Sequence, residues 1–517
     1  MQQTKKVTIY TQAYKTEPFL KQCIESVLAQ TYTNFEYILV DNASLDRCGE
    51  MIDYYASLDQ RIKPIHLTEN QGIRGLLTVQ YGTGDYYTVI DSDDWWEHDY
   101  LERLIGFLEE NDLDLAITGT ITHFEHDGSE KVLRKLNSPL VLTRQQFVHH
   151  YPELWMFPST TWGNIMKMEL FQRSNIETIR ILNIPYGSDT LCTLKYLELC
   201  KKIGIDNSAM YHYRIRPKSV SYIYNSRRFD GNIIITETIR EFLEQHNTFD
   251  VAKQEWLKHV HISAMNATMD LLGKSDLSVS EKLAECARIA SHPLTSYALN
   301  TQGQAQADWH QLMRTITATA VLDGAGEIED LRSVLSVVAP RFVGVTEQFL
   351  PLFHRESRLL EIVLSNDWEG FVSSVFQLIA AKRYTKQVDL GAVLGAVIPE
   401  RTILSGMTDT RFFRTYSDVC LLILSENYAE ALEQMTTILL EQERVYGEEV
   451  FLAAYLSVAA LENQIPAFLY GKIRLAALFL DEGRIAECKD ILNELSEMGA
   501  GDHEDVLLLK EEMERLL

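Results

Sequence analysis

An α/β domain with a mostly parallel sheet flanked by helices, followed by an all-α C-terminal region, is the architecture this 517-residue sequence predicts. Short apolar runs of strand character alternate with amphipathic helical runs over about the first 230 residues, the order that builds parallel strand pairs. Two of those runs end in aspartate, at Asp41 and Asp91, where open sheets of this kind present polar groups to ligands. Beyond about residue 230, helical periodicity takes over.

Val7 to Thr11 reads as a buried strand, followed by a helix with Phe19, Leu20, Cys23, Ile24, Val27 and Leu28 on one face. Phe35 to Val40 is a second strand, ending at Asp41 in Asp-Asn-Ala-Ser, and the next helix buries Met51, Ile52, Tyr55 and Leu58. Ile65 to Leu67 is a third strand. Tyr86 to Ile90 is another, running directly into Asp91-Ser92-Asp93-Asp94 and a helix expected to start near Trp95. The second half predicts helices over Trp256 to Leu272, Leu359 to Ala380, Tyr428 to Leu440, Val450 to Leu461, Ile473 to Leu480 and Ile485 to Leu495. Asp367-Trp368-Glu369-Gly370-Phe371, Asn427-Tyr428-Ala429-Glu430-Ala431 and Gly483-Arg484-Ile485-Ala486-Glu487 each open a helix in a tetratricopeptide-like manner, at irregular spacing. The implied domains are 1–230 (α/β), 231–340 (a helical connector) and 341–517 (helical and repeat-like).

A chain of this length exceeds one hydrophobic core and divides into two or three domains. The net charge of −25 argues against nucleic acid or an anionic bilayer as a broad partner, since both need a basic face. No apolar stretch approaches ~18 residues, and MQQTKK passes into the first strand without a signal-type apolar core. A cytoplasmic location is expected, with a peripheral position at the inner face of the membrane as the alternative. Cys23, Cys48, Cys192, Cys200, Cys286, Cys420 and Cys488 lack CxxC spacing and read as reduced, packed thiols.

Asp91-Ser92-Asp93 places two carboxylates on one side of an extended segment, where they can share a hard divalent ion, Mg²⁺ or Mn²⁺. Equally, Asp93 and Asp94 would cap a helix beginning near Trp95. Residues 211–228 hold Arg214, Arg216, Lys218, Arg227 and Arg228 and no acid, a basic segment suited to phosphate oxygens or to solvent. His149, His150 and His212 are expected to be structural, because hard cations prefer oxygen. At least one of Trp95 and Trp96 is expected in the core.

Val-Thr-Ile-Tyr-Thr-Gln-Ala-Tyr (7 to 14), Ile-Glu-Ser-Val-Leu-Ala-Gln-Thr-Tyr (24 to 32), Tyr-Ile-Leu-Val-Asp-Asn-Ala-Ser (37 to 44) and Gly-Asp-Tyr-Tyr-Thr-Val-Ile-Asp-Ser-Asp-Asp (84 to 94) together resemble family 2 glycosyltransferases of the GT-A fold. The likeness continues through Trp162, Ile184-Pro185-Tyr186-Gly187-Ser188-Asp189 and the 211–221 segment, and spans about residues 5 to 225. It implies a metal-dependent, inverting enzyme that moves a sugar from a nucleoside-diphosphate sugar, UDP-sugar first among donors, to a hydroxyl of a glycan, cell-envelope polymer or glycoprotein. By the same resemblance Tyr14 stacks on the nucleobase and Asp41 or Asn42 hydrogen-bonds it. Asp91 touches the ribose or metal, and Asp93 is the metal ligand proper. Asp189 stands where the family keeps its base, and Ser219 and Ser221 lie on the segment that closes over the diphosphate. Arg214 belongs to the basic segment facing that diphosphate, and Arg74 is a substitute phosphate contact in a stretch, 70–77, that lacks the usual Ala-Arg-Asn. Ser188 replaces the glutamate that generally precedes the base.

Direct displacement asks for these residue types: one carboxylate to take the acceptor's proton, and a cation to offset charge on the departing diphosphate. A nucleotidyltransferase would need a glycine-rich loop where Gln12-Ala13-Tyr14-Lys15 stands, and a dinucleotide oxidoreductase a GxGxxG after a strand. The remaining alternative is a weakly active or inactive transferase-like scaffold working through its helical half. That half is expected to recognise the acceptor, to form a homo-oligomer or to dock a protein partner.

Overall fold

The computed structural model describes residues 5–72, 81–174, 184, 186–216, 219–300, 303–342, 350, 357–382, 410–441, 445 and 447–516. Two compact units are present, Met1–Asp276 with Pro293–Trp309, and Leu277–His292 with His310–Leu517.

The first unit is built on ten strands: β1 (Val7–Ala13), β2 (Phe35–Asp41), β3 (Ile62–His66), β4 (Tyr86–Val89), β5 (Trp95–Trp96), β6 (Leu115–Phe124), β7 (Glu130–Arg134), β8 (Leu140–Thr143), β9 (Asn164–Lys167) and β10 (Lys202–Ile215). They form one sheet in the order β3-β2-β1-β4-β9-β6-β10-β5, with β7 on β6 and β8 on β10. The β3-β2-β1-β4 half is parallel throughout. β9 then runs antiparallel to both β4 and β6, and β6 and β10 are again parallel, so the sheet is mixed.

Side-chain alternation along the strands builds a core on each face. Val7 and Ile9 of β1 and Tyr37 and Leu39 of β2 face helices α1 (Glu17–Leu28), α2 (Cys48–Leu58) and α3 (Tyr100–Glu110) through Leu20, Ile24, Ile52 and Leu104. Tyr10, Ile38 and Val40 face the other way, towards α4 (Arg144–His149), α5 (Tyr151–Leu154), α6 (Met168–Arg173), α7 (Ser188–Leu197), α8 (Arg228–Gln245) and α9 (Val251–Lys274). All seven cysteines are buried and free, as the scattered spacing predicts.

From β1 the chain runs outward through β2 to β3, then returns to lay β4 on the opposite side of β1. Such a reversal opens a crevice at the carboxyl ends of the strands, where ligands bind in open α/β sheets. Asp41 and Asp91 stand at that edge.

Two expected elements differ. No helix begins at Trp95: Trp95 and Trp96 pair with His212 and Tyr211 across an antiparallel bridge, and the helix starts only at Tyr100. Sheet pairing to a strand more than a hundred residues away outweighs the local capping pattern. Leu359 to Ala380 is likewise not one helix but two, Ser357–Leu364 and Trp368–Lys382, because Asn366 adopts φ 57° between them and Asp367 Oδ1 accepts from Gly370 N at 2.9 Å.

Among the described residues of the second unit, five helix ends share one turn. Gly324, Asn366, Glu426, Asn463 and Gly483 have φ of 66°, 57°, 60°, 54° and 72°. Each N–H bonds the carbonyl three residues back, and the following N–H bonds the carbonyl five back, the Schellman arrangement. The helix-opening motifs at 367, 427 and 483 therefore mark real helix starts, and these turns are unevenly spaced among the described residues.

Gly187 fixes the start of α7: its φ is 79°, and a Cβ there would lie 1.9 Å from Ile235 Cδ1 on α8. Gly187→Ala is expected to lower stability by about 1–3 kcal/mol through strain and clash, read as a fall in the thermal midpoint; an unchanged midpoint would contradict this packing.

Candidate active site

The crevice at the end of β4 gathers acids. Asp94, 1% exposed, is tied to β10: Tyr211 Oη donates to its Oδ2 at 2.7 Å and Arg214 N to its Oδ1 at 2.8 Å. The Asp91 N–H donates to the same Tyr211 hydroxyl at 3.1 Å. Asp93 receives Arg214 Nε on its carbonyl at 2.9 Å and Arg216 Nε on Oδ2 at 2.7 Å. Asp189, in the first turn of α7, lies close enough to Asp91 that their charges repel.

Burial, then Asp189 and then Asp93, push the Asp91 carboxyl well above the usual range. Burial, Asp93 and Asp91 do the same to Asp94. Burial raises Asp189 to about 6. Elevated carboxyls in a crevice mark acid–base or cation chemistry rather than plain structural ion pairs.

Aromatic rings frame the acids. The Arg214 guanidinium lies 4.7 Å from the Trp95 centroid and 4.9 Å from that of Phe19, and its Nη2 donates to Gln22 Oε1 at 2.7 Å. Arg216 lies 5.3 Å from Phe19. Trp162 stacks on Tyr211 at 4.5 Å and on Tyr213 at 5.0 Å, with the buried Arg134 guanidinium 4.9 Å from its ring.

On the β1–β2 side, Tyr14 is half-buried, with the Lys15 ammonium 5.2 Å from its ring centroid. Asp41 accepts from Ser44 N at 2.9 Å and lies 3.3 Å from His66 Nδ1. Asn42 is turned inward, 1% exposed: its amide donates to Asn70 Oδ1 at 3.1 Å and accepts from Gln71 N at 2.9 Å. Of the pair expected to meet a nucleobase, Asn42 is taken up by the 70–72 turn, while Asp41 lies against Ser44 and His66. Arg74 lies outside the described residues.

Ser219 and Ser221 sit on the turn after Arg216, where Ser219 N donates to Arg216 O at 3.1 Å. Arg228 fastens this segment to the loop before α7: its guanidinium is 3.7 Å from the Tyr186 centroid and its Nη1 donates to Ser221 O at 3.2 Å. Sequence reasoning listed Arg216 and Arg228 only as members of a basic run and read Asp94 as a helix cap; Tyr211 and Phe19 carried no signal beyond their aromatic character.

The donor set at Asp91 and Asp93 is carboxylate oxygen alone, the chemistry that suits Mg²⁺ or Mn²⁺. Among the described residues no three His, Cys, Asp or Glu side chains converge as a ready-made metal cage. That fits an ion held by one or two carboxylates and completed by substrate phosphates.

Protons retained by Asp91, Asp94 and Asp189 in the folded chain are released by the unfolded chain once pH exceeds the ordinary carboxylate range, so these groups make stability fall as pH rises. In chelator, raising pH from about 4.5 to about 7.5 should lower the thermal midpoint, and Mn²⁺ should restore it more at the higher pH. Equal restoration at both values would show that these acids do not share an ion.

The family described as Glycosyl transferase family 2 matches residues 8–178. The chain is 27% identical over 318 residues to the putative glycosyltransferase EpsH of Bacillus subtilis, covering 59% of this chain and 89% of EpsH. It is 36% identical over 221 residues to an uncharacterized glycosyltransferase of Haemophilus influenzae, covering 42% of this chain and 81% of that protein. A crystal structure of S. aureus TarS 1-349 in complex with UDP-GlcNAc aligns with a TM-score of 0.38 at 15% identity, over 70% of this chain and 88% of that one. Identity at that level across most of a relative's length, together with the strand-end aspartates of a GT-A-type sheet, places the chain in glycosyltransferase family 2, with a helical region following its transferase domain.

Proposed function

We propose that this glycosyltransferase transfers a sugar, with inversion, from a nucleoside-diphosphate sugar to a hydroxyl of a glycan, cell-envelope polymer or glycoprotein. The observation that supports the proposal is Asp189: a carboxyl raised to about 6 by burial and close enough to Asp91 that their charges interact. A base poised near neutrality accepts a hydroxyl proton while remaining ionised at working pH.

In this reading the acceptor hydroxyl is placed beside Asp189, whose carboxylate takes its proton as the oxygen attacks the anomeric carbon. Asp93 and Asp91 hold a divalent ion, Mn²⁺ or Mg²⁺, which when bound offsets charge on the departing diphosphate. Arg214, with Ser219 and Ser221 on the following turn, faces the diphosphate oxygens, and Arg214 is kept extended by Phe19, Trp95 and Gln22. Tyr14 and Asp41 receive the base and ribose, with a UDP-sugar as the proposed donor. The water-poor wall of Trp162, Tyr211 and Tyr213 strengthens these charge interactions.

Among the described residues no helix is long and apolar enough to cross a membrane. The proposed place of action is the cytoplasm or the inner face of the membrane, and the helical half is proposed to recognise the acceptor or a protein partner.

A panel of nucleotide sugars with Mn²⁺, followed by nucleoside-diphosphate release, tests the scheme. Asp189→Asn is expected to lower kcat by about 10²- to 10⁴-fold with donor KM little changed. The acidic limb of the parent's profile should fall as pH drops through about 6 and be absent from the residual rate of the variant. Asp93→Ala should abolish the response to added cation. Parent-like turnover by Asp189→Asn would remove Asp189 from the base role.

A further inference from the structure

Beside the acids, two histidines form a hydrogen-bonded chain across the sheet that the proposed chemistry does not use. His123 of β6 and His212 of β10 meet Nε2 to Nδ1 at 2.8 Å. His123 Nδ1 lies 3.0 Å from Glu130 Oε1 on β7, and His212 Nε2 lies 3.7 Å from Glu97 Oε1, just after β5. Trp95 stacks on His212 with centroids 5.1 Å apart and planes 12° apart, and that same indole carries the Arg214 guanidinium at 4.7 Å. The charged groups facing the pair are Glu130 from β7, Glu97, Arg214 from β10, and Arg103 of α3, which lies 3.8 Å from Glu97.

Two neutral rings can keep their mutual bond in two tautomer arrangements, and the shorter contact to Glu130, 3.0 Å against 3.7 Å to Glu97, favours one of them. Ionised Glu130 accepts from His123 Nδ1–H, so His123 Nε2 accepts from His212 Nδ1–H, and His212 Nε2 is left presenting a lone pair to Glu97. One added proton at His212 Nε2 turns that opposed contact into a donor–acceptor pair and leaves the ring–ring bond intact. A second proton would set two N–H groups against each other. Burial holds both rings below the ordinary imidazole range, and the Arg214 charge further opposes protonation of His123.

We propose that His212, oriented by His123, is a positioning residue for the donor: arrival of the diphosphate at Arg214 draws one solvent proton onto His212 Nε2, and the imidazolium, anchored by Glu97, fixes Trp95 and Arg214. The inference rests on the reading that Arg214 faces the donor diphosphate. The anionic ligand offsets the Arg214 charge, which opposes protonation at His123, the ring bonded to His212, and by linkage the protonated pair favours the ligand in return. The pair takes up one proton and no more.

Calorimetric titration of the full chain with UDP and Mn²⁺, in buffers of different ionisation enthalpy, reads proton uptake directly. The parent is expected to take up close to one proton near neutral pH and therefore to bind UDP at least about twentyfold more tightly at about pH 6 than at about pH 8. His212→Gln should bind UDP with neither the uptake nor the pH dependence, the remainder measuring protonation of UDP itself. His123→Gln, should His212→Gln fail to fold, is expected to abolish the uptake in the same way. A merely structural histidine pair would change affinity but leave proton uptake as in the parent. Binding by the parent with uptake no greater than in the variants overturns this inference alone. Absence of UDP binding at every pH overturns it together with the donor reading on which it rests.

Discussion

Crowding of like charge at the end of one strand is the constraint around which the transferase unit is arranged. Asp91, Asp93 and Asp94 follow β4 within five residues, and α7 brings Asp189 close to Asp91 from nearly a hundred residues away. Burial and mutual repulsion both oppose ionisation there. The fold answers with donors from β10: the Tyr211 hydroxyl, the Arg214 amide and guanidinium, and the Arg216 guanidinium. What remains uncompensated at Asp91 and Asp189 is the capacity to accept a cation and a proton.

The strands and the strand-end aspartates were legible because both obey local rules: period-two burial and placement at a carboxyl edge. Parallel β1, β2 and β4 followed from their alternation with amphipathic helices. What could not be read locally was set by distant pairing. Trp95 and Trp96 have the acidic preface of a helix start, yet become a short strand because β10 offers them backbone partners. Asp94 looked like a cap and is instead fastened to Tyr211 and Arg214. Asn42 occupies the expected position after β2, but its amide is satisfied by Asn70 and Gln71, a contact no spacing rule reveals. The histidine pair was invisible for the same reason, its members lying on separate strands.

The wall behind the crevice buries a cation among its rings. Arg134 is 4% exposed and meets no carboxylate; its guanidinium donates instead to Met156 O at 2.8 Å, Phe157 O at 2.7 Å and Thr120 Oγ1 at 2.9 Å, beneath Trp162. A guanidinium held through Nε and Nη1 by neutral oxygens, with Nη2 buried and given no hydrogen-bond partner among the described residues, keeps its charge without removing an acid from the pocket. Trp162, packed against that cation and two tyrosines, backs the Tyr211 ring whose hydroxyl holds Asp94. Arg228 extends the same logic by joining Tyr186 to Ser221, so the loop leading to Asp189 and the turn after β10 are constrained together.

The recurring left-handed turns of the second unit have a consequence for its evolution. Each helix end that closes at Gly324, Asn366, Glu426, Asn463 or Gly483 satisfies its last carbonyls with its own backbone. Helix termini sealed in this way ask nothing of a neighbouring side chain, so hairpins can be gained, lost or lengthened by recombination at those joints without exposing orphaned carbonyls. The unequal intervals between the turns are what such piecemeal growth would leave behind, and they free this half of the chain to diversify its surface while the acid pocket stays as it is.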